Sequence, residues 1–310
     1  MAFYRILSLD GGGIRGLLTA ILLDRLAEWE PAYMSRVDLF AGTSTGGILA
    51  LAFAAGFTPR EVYEMYEQSG TAVFADTPAS PNRKRGETAA WYTNHNLKRA
   101  LQSVFGERTL GDLPRHVLVA AFDLDNEATG PGSFRTWKPK FFHNFPGPDS
   151  DKDELIVDVA LRTSAAPIFF PIYQGYVDGG IFAKNPAMCA LAQAIHPETG
   201  GQRLEDVILL SVGTGQNAQF LALAPDDDGD WGVVQWSQDM RLLNVTMGND
   251  VSLVDFQCRQ FLGERYFRLD PMLSEVVHLD GMAELRRLVS VAWQTDLRAA
   301  GAWLQQYFGS

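Results

Sequence analysis

Two short apolar runs near the start of the chain, Tyr4 to Leu9 and Val37 to Ala41, each lead into a glycine-rich segment and then into an apolar stretch of helical length. The first run reads as a buried strand followed by a glycine loop, Asp10 to Gly16. Leu17, Leu18, Ile21, Leu22 and Leu26 then recur at helical spacing. In the second unit, Gly42-Thr43-Ser44-Thr45-Gly46-Gly47 forms a sharp turn before Ile48 to Ala55, which is apolar on every side and reads as a buried helix. Strand, loop, helix, strand, turn, helix predicts an α/β fold built on a mostly parallel sheet.

Further along, Leu97 to Phe105 and Leu155 to Ser164 have helical spacing, and Val117 to Leu124 and Val207 to Val212 read as strands. Tyr176-Val177 runs into Asp178-Gly179-Gly180. Thr71 to Asn96 is irregular, with Pro78, Pro81, the basic run Arg83-Lys84-Arg85, and Trp91 and Tyr92. It is expected to be a surface excursion over the edge of the site. Basic and aromatic groups there suit a membrane interface, and equally a solvated loop with two core aromatics. The chain is expected to form one domain, residues 1–310, with a catalytic core at about 4–215 and a mainly helical part at 216–310.

The formal net charge of −11 over 310 residues argues against nucleic acid as the main partner. Two cysteines, Cys189 and Cys258, are too few for a disulfide framework and fit a reducing cytoplasm. The first residues show no signal-peptide pattern, and no apolar stretch is long enough to span a bilayer, so any membrane contact is expected to be peripheral.

The chemistry begins at Ser44. Gly42-Thr43-Ser44-Thr45-Gly46 fits G-x-S-x-G between a strand and an apolar helix, the setting of a nucleophile on a strained turn at a helix N-terminus. A helix cap with small packing residues is the bland alternative. Gly11, Gly13 and Gly16 also satisfy a dinucleotide fingerprint. However, the second strand ends in Gly42-Thr43-Ser44 rather than in the ribose-binding acid that such a site needs. The glycine loop is better used as an oxyanion hole of backbone N–H groups beside the nucleophile. None of the five histidines, at 95, 116, 143, 196 and 278, has catalytic punctuation around it, and each reads as a surface or helix-flanking residue. Asp178, between a strand and two glycines, is left as the base, although Asp-Gly-Gly is often only a tight turn.

Asp10-Gly-Gly-Gly-Ile-Arg-Gly16, Gly42-Thr-Ser-Thr-Gly46 and Asp178-Gly-Gly180, in this order, resemble the patatin-like phospholipases. Thr163-Ser-Ala-Ala-Pro-Ile-Phe-Phe-Pro171, Asn185-Pro186 and Ser211-Val-Gly-Thr-Gly215 add to the likeness, which covers about the first two-thirds of the chain. The resemblance implies a three-layer α/β/α sandwich and a Ser44–Asp178 dyad. It also implies an oxyanion hole from Gly11, Gly12 and Gly13, and hydrolysis of glycerophospholipid acyl esters without metal or other cofactor. A carboxylate base needs its pKa lifted from near 4 by its surroundings. Arg15, the one charge between Gly11 and Gly16, either meets a lipid phosphate or pairs with a carboxylate. Lys184 is expected to be solvated, and Asp226 to Asp230 lacks the spacing of a calcium loop. Thioesterase or acyltransferase action on the same site, and control by a nucleotide or partner, remain alternatives; nothing sets the oligomeric state.

Overall fold

A computed structural model describes residues 3–74, 87–223, 225–226, 228–248 and 250–309. The strands are β1 (Tyr4–Leu9), β2 (Leu39–Thr43), β3 (His116–Asp123), β4 (Lys138–His143), β5 (Tyr176–Asp178), β6 (Val207–Val212), β7 (Gln216–Asn217), β8 (Tyr266–Leu269) and β9 (Met272–Leu273). The helices are α1 (Gly16–Leu26), α2 (Thr45–Ala54), α3 (Pro59–Val73), α4 (His95–Phe105), α5 (Ile156–Thr163), α6 (Ala187–Ile195), α7 (Val233–Ser237), α8 (Arg241–Gly248), α9 (Asp250–Leu262), α10 (Leu285–Gln294) and α11 (Arg298–Phe308).

The main sheet runs β4-β3-β2-β1-β6-β8, with β5 also paired to β3, and is parallel except for β4 and β5. Side chains along a strand alternate between its faces, and each strand accordingly feeds two cores. Leu7, Phe40, Val119 and Leu210 point into one core with α1 to α5, α10 and α11. Ile6, Leu39, Leu118 and Leu209 point into the other, against α6 and α9. The result is the expected three-layer α/β/α sandwich.

Two boundaries differ from the sequence reading near the site. β2 extends through Gly42 and Thr43, and α2 begins at Thr45, so the sharp turn is a single residue wide. The residues on either side of Ser44 belong to the strand and the helix.

Where the sequence pattern loosens, α3 forms instead. Pro59 occupies its first turn, Thr58 Oγ1 accepts from Glu61 N–H, and the Glu61 carboxylate accepts from Thr58 N–H. That capping box was readable as Thr-Pro-Arg-Glu. The expected excursion from Thr71 to Asn96 is therefore helical at both ends. Arg83, Lys84 and Arg85 lie outside the described residues, as does Asp227 of the acidic run.

The sheet also does not stop near residue 215. β8 closes its edge beside β6, so the C-terminal part adds a strand as well as helices. No described helix is long and apolar enough to cross a membrane.

Candidate active site

The register of three strands brings Ser44 and Asp178 together. β2 pairs with β3 in parallel and ends with Thr43 opposite Ala120. β5 pairs with β3 antiparallel and ends with Asp178 opposite Ala121. β4 already occupies the other edge of β3 at these residues, so β5 must continue the lane of β2 from the opposite direction. The two strands meet end to end, one delivering a hydroxyl and the other a carboxylate.

Ser44 has φ 57° and ψ −125°, a left-handed conformation that costs a non-glycine residue about 1–3 kcal/mol. Close backbone contacts impose it. A Cβ on Gly42 would lie 2.0 Å from the Gly46 carbonyl oxygen, and one on Gly46 would lie 2.2 Å from that of Leu9. The strained N–H of Ser44 donates to Thr163 Oγ1 at 2.8 Å, and the Thr163 hydroxyl donates onward to the Ala120 carbonyl at 2.5 Å. Thr163 thus locks the turn to β3.

Asp178 is 1% exposed. Its N–H donates to the Ala165 carbonyl at 3.1 Å, and its Oδ1 accepts from Gly180 N–H at 2.7 Å. Burial lifts its pKa to about 6, against the opposing pull of hydrogen bonds from the Ser44 side chain and Gly180 N–H. A carboxyl titrating there is a competent proton acceptor near neutral pH.

The glycine loop lies against the serine turn. A Cβ on Gly11 would approach the Ser44 Cβ to 3.3 Å. Gly11 N–H, however, is committed to the Lys184 carbonyl at 2.9 Å, which leaves Gly12 and Gly13 as the loop's candidate anion donors.

Arg15 does not project freely into solvent. It is buried, with Nε and Nη1 each 3.3 Å from a carbonyl, of Gly12 and Gly215 respectively. Burial lowers its pKa against the pull of Asp270 and Asp10. Its position ties the loop to the turn after β6, although it also lines the cavity beside Ser44. Lys184 lines that cavity too and is half-buried rather than solvated.

A buried ionic group anchors the loop, and the motif reading missed it. Arg268 on β8 donates from Nη1 and Nη2 to the two oxygens of Asp10, at 2.8 and 2.5 Å, and from Nη2 to Asp270 at 2.8 Å. Burial disfavours the Arg268 charge, but Asp10 and Asp270 outweigh it and hold the pKa above its ordinary value. Asp270 also accepts from Gly215 N–H at 2.9 Å. Arg268 and Asp270, two residues apart along an extended chain, share a face, and that spacing is the available signal.

Two cavities meet at Ser44. One, of about 1300 Å³, is lined by polar groups including Asp10, Arg15, Lys184 and Arg268. The other, of about 140 Å³, is lined by α2, α3, α4 and the Ser164 to Phe170 segment, with no charged residue among its described walls. Ser164 lines it with a buried hydroxyl that has no hydrogen-bond partner among the described residues.

Trp91 and Tyr92 part company. Their N–H groups donate to the Ile168 and Phe169 carbonyls. Trp91 is exposed, while Tyr92 packs against Phe74 and Phe170 and donates to Asp280 at 2.7 Å.

The histidines do not enter the pair. His143 is buried rather than on the surface; it sits on β4 across β3, and its ring packs against Phe145. His116 stacks on Phe145 at the start of β3. His278 is exposed and lines the polar cavity.

The patatin-like phospholipase family model matches residues 7–191, which carry all three motifs. The chain belongs to this family. It is 30% identical to the protein CotR of Bacillus subtilis (strain 168) over the whole of both chains. The protein teg of Priestia megaterium is also 30% identical, over 99% of each chain. A cGAMP-activated phospholipase of Pseudomonas aeruginosa is 33% identical over 86% of this chain and 78% of its own. As a patatin-like phospholipase the protein is a lipid hydrolase.

Proposed function

We propose that this patatin-like phospholipase hydrolyses acyl esters of glycerophospholipids through an acyl-enzyme on Ser44, with Asp178 as general base. The observation that carries the reading is the place of Ser44 where a large cavity that carries charged groups meets a small apolar one, which suits an ester whose two sides differ in polarity. Ser44 Oγ attacks the carbonyl carbon while its proton passes to Asp178. The tetrahedral oxyanion accepts hydrogen bonds from Gly12 and Gly13 N–H, near the positive end of α2. The alcohol leaves with the proton from Asp178. Water then attacks the acyl-enzyme, giving its proton to Asp178, which returns it to Ser44 Oγ as the bond to Ser44 breaks and the fatty acid departs. The head group occupies the polar side, near Lys184.

Fatty-acid release from phosphatidylcholine vesicles tests the reading. Ser44→Ala is expected to abolish release, and Asp178→Asn to lower turnover about a hundredfold or more, the usual cost of losing a general base. His278→Gln is the control, because that side chain borders the same cavity. Abolition by His278→Gln in a folded protein, or full activity in Asp178→Asn, would overturn the dyad.

A second reading concerns control. The polar cavity exceeds the roughly 300–1,000 Å³ of an ordinary ligand site. It extends to Trp231, whose ring carries the Arg241 guanidinium 4.9 Å from its centroid. A nucleotide activator, as named for the Pseudomonas aeruginosa relative, has room there. Release measured with and without cGAMP decides it: stimulation supports control, and equal rates count against it.

A further inference from the structure

Large apolar side chains exposed to solvent are not spread evenly over the surface. Among the described residues the five most exposed are Phe134, Trp137, Phe220, Val233 and Val234, each 68% to 85% accessible. Phe134 and Trp137 sit on the arm between β3 and β4, which the Asn126 N–H closes by donating to the Thr136 carbonyl at 3.0 Å. Phe220, Val233 and Val234 belong to the segment between β7 and α8. β3 and β6 run parallel with β2, whose end carries Ser44. The arm follows β3 directly and the second segment follows β6 by way of β7, so both leave the sheet at that same end. β2 and β1 stand between β3 and β6, so the two strand ends flank Ser44 at a separation of about 14 Å.

The second segment also reaches the site. Phe220 and Trp231 line the large cavity that opens on Ser44. Met247 of α8 lies over the Asp-Gly-Gly turn, where a Cβ on Gly180 would be 3.2 Å from its Cε. Leu242 and Val245 of the same helix are exposed, so α8 joins the apolar rim to the neighbourhood of Asp178. Exposed apolar groups around a cavity mouth fit a surface that takes them out of water. Charge decides which surface. Residues 124–138 and 218–245 hold three cations, Arg135, Lys138 and Arg241, against seven acidic residues. Arg135 pairs with Asp125, and Arg241 with Asp239. Such a rim repels an anionic bilayer and suits one whose outermost groups are the cations of choline. We infer that the two segments form one docking face for a zwitterionic phospholipid surface, held by apolar insertion with the large cavity opening toward the lipid. The inference rests on the reading of the protein as a phospholipid hydrolase and adds how it meets its aggregated substrate.

The test is cosedimentation of Ser44→Ala, which should leave the lipid intact, with sucrose-loaded phosphatidylcholine vesicles. Binding should persist from about 0.1 to about 1 M salt, and weaken when phosphatidylglycerol replaces part of the phosphatidylcholine. Phe134→Ser with Trp137→Ser, and Val233→Ser with Val234→Ser, should each weaken it about tenfold or more. With Ser44 restored, the same pairs should slow fatty-acid release from vesicles and leave hydrolysis of soluble p-nitrophenyl butyrate unchanged. Undiminished vesicle binding in both pairs overturns the docking face, as does binding that strengthens with phosphatidylglycerol and collapses in salt. Equal losses on vesicles and butyrate would place the effect in the site rather than at the surface, and overturn it too. A dimer that the substitutions turn into monomer, with vesicle binding intact, would give the face to a second copy of this chain instead. Butyrate hydrolysis retained in Ser44→Ala would remove the nucleophile reading and leave the docking result standing.

Discussion

The serine turn and the glycine loop touch each other and are both rich in glycine, yet they are held by different forces. The turn from Gly42 to Gly46 is fixed by steric fit and one hydroxyl. Backbone atoms approach so closely at Gly42 and Gly46 that no side chain fits, and Thr163 ties the Ser44 N–H to β3. The loop from Asp10 to Gly16 is fixed by charge. Its first residue is gripped by Arg268, which belongs to the far end of the chain and to the edge strand of the sheet. Steric fit gives Ser44 a conformation independent of pH. An ionic clamp gives the loop a position that depends on which carboxyls are ionised. The difference teaches that the proposed nucleophile and its proposed anion donors are held separately, so a variant can damage one and spare the other.

Gly46→Ala should have the largest effect. Its Cβ would meet the Leu9 and Asp10 carbonyl oxygens at 2.2 and 2.6 Å, both backbone atoms that cannot step aside. Ser44 should lose its strained geometry, and turnover should fall below detection at every pH. A folded, active Gly46→Ala protein would show that the turn is not sterically imposed.

Arg268→Met comes next and breaks the other clamp. Removing one partner of a buried ion pair costs about 3–5 kcal/mol. It leaves Asp10 and Asp270 buried without their cation. Asp10, already pushed up by burial, should then take up a proton on folding, so the loss should be greatest at pH 8 and partly recovered at pH 5. Chemical denaturation at the two pH values measures it. A loss equal at both would mean that packing by the Arg268 stem, not its charge, anchors the loop.

Asp178→Asn should stabilise the protein while disabling it. The folded pKa of about 6 lies above the group's ordinary value of 3.8, so in the wild type the folded state holds its proton more tightly. Stability from this group is therefore greatest at low pH and declines as pH rises from about 4 through 6. At about 1.4 kcal/mol per pKa unit, the buried charge costs up to about 3 kcal/mol at pH 8. The amide removes that cost, so its gain in denaturation midpoint should appear at pH 8 and vanish near pH 4. A gain that is the same at both pH values would deny that Asp178 is ionised and buried in the working enzyme.

Ser164→Ala should be the mildest change. It removes a buried hydroxyl without a partner among the described residues, so stability should hold or rise by about 1 kcal/mol. A loss of turnover at constant stability would give that hydroxyl a part in binding the ester.

The comparison also explains what was legible in the sequence. Close approach requires glycine, so steric constraint leaves a local signature, and Gly42, Gly46 and Gly179 stand where the motifs put them. The end-to-end meeting of β2 and β5 was not readable, because Tyr176-Val177-Asp178 is only three residues long and its pairing depends on β3. The ionic clamp joins residues 258 apart in sequence, so the spacing of Arg268 and Asp270 marks a shared face but not the partner that it meets. Arg15 misled for the same reason. A charge in a glycine loop suggests a ligand, and the carbonyls of Gly12 and Gly215 that it meets become neighbours only on folding.

Activation of Ser44 by Asp178 is the central claim, and the pH dependence of fluorophosphonate labelling tests it most directly. The probe needs no lipid surface and reports the nucleophile alone. Labelling, mapped by peptide mass to Ser44, should be slow at pH 4.5, rise with a midpoint near 6 as the Asp178 carboxyl ionises, and level off by pH 8. Asp178→Asn should label about a hundredfold more slowly, with no midpoint in that range. A wild-type midpoint that survives unchanged in Asp178→Asn and disappears in His278→Gln would contradict the account and pass the base to the histidine.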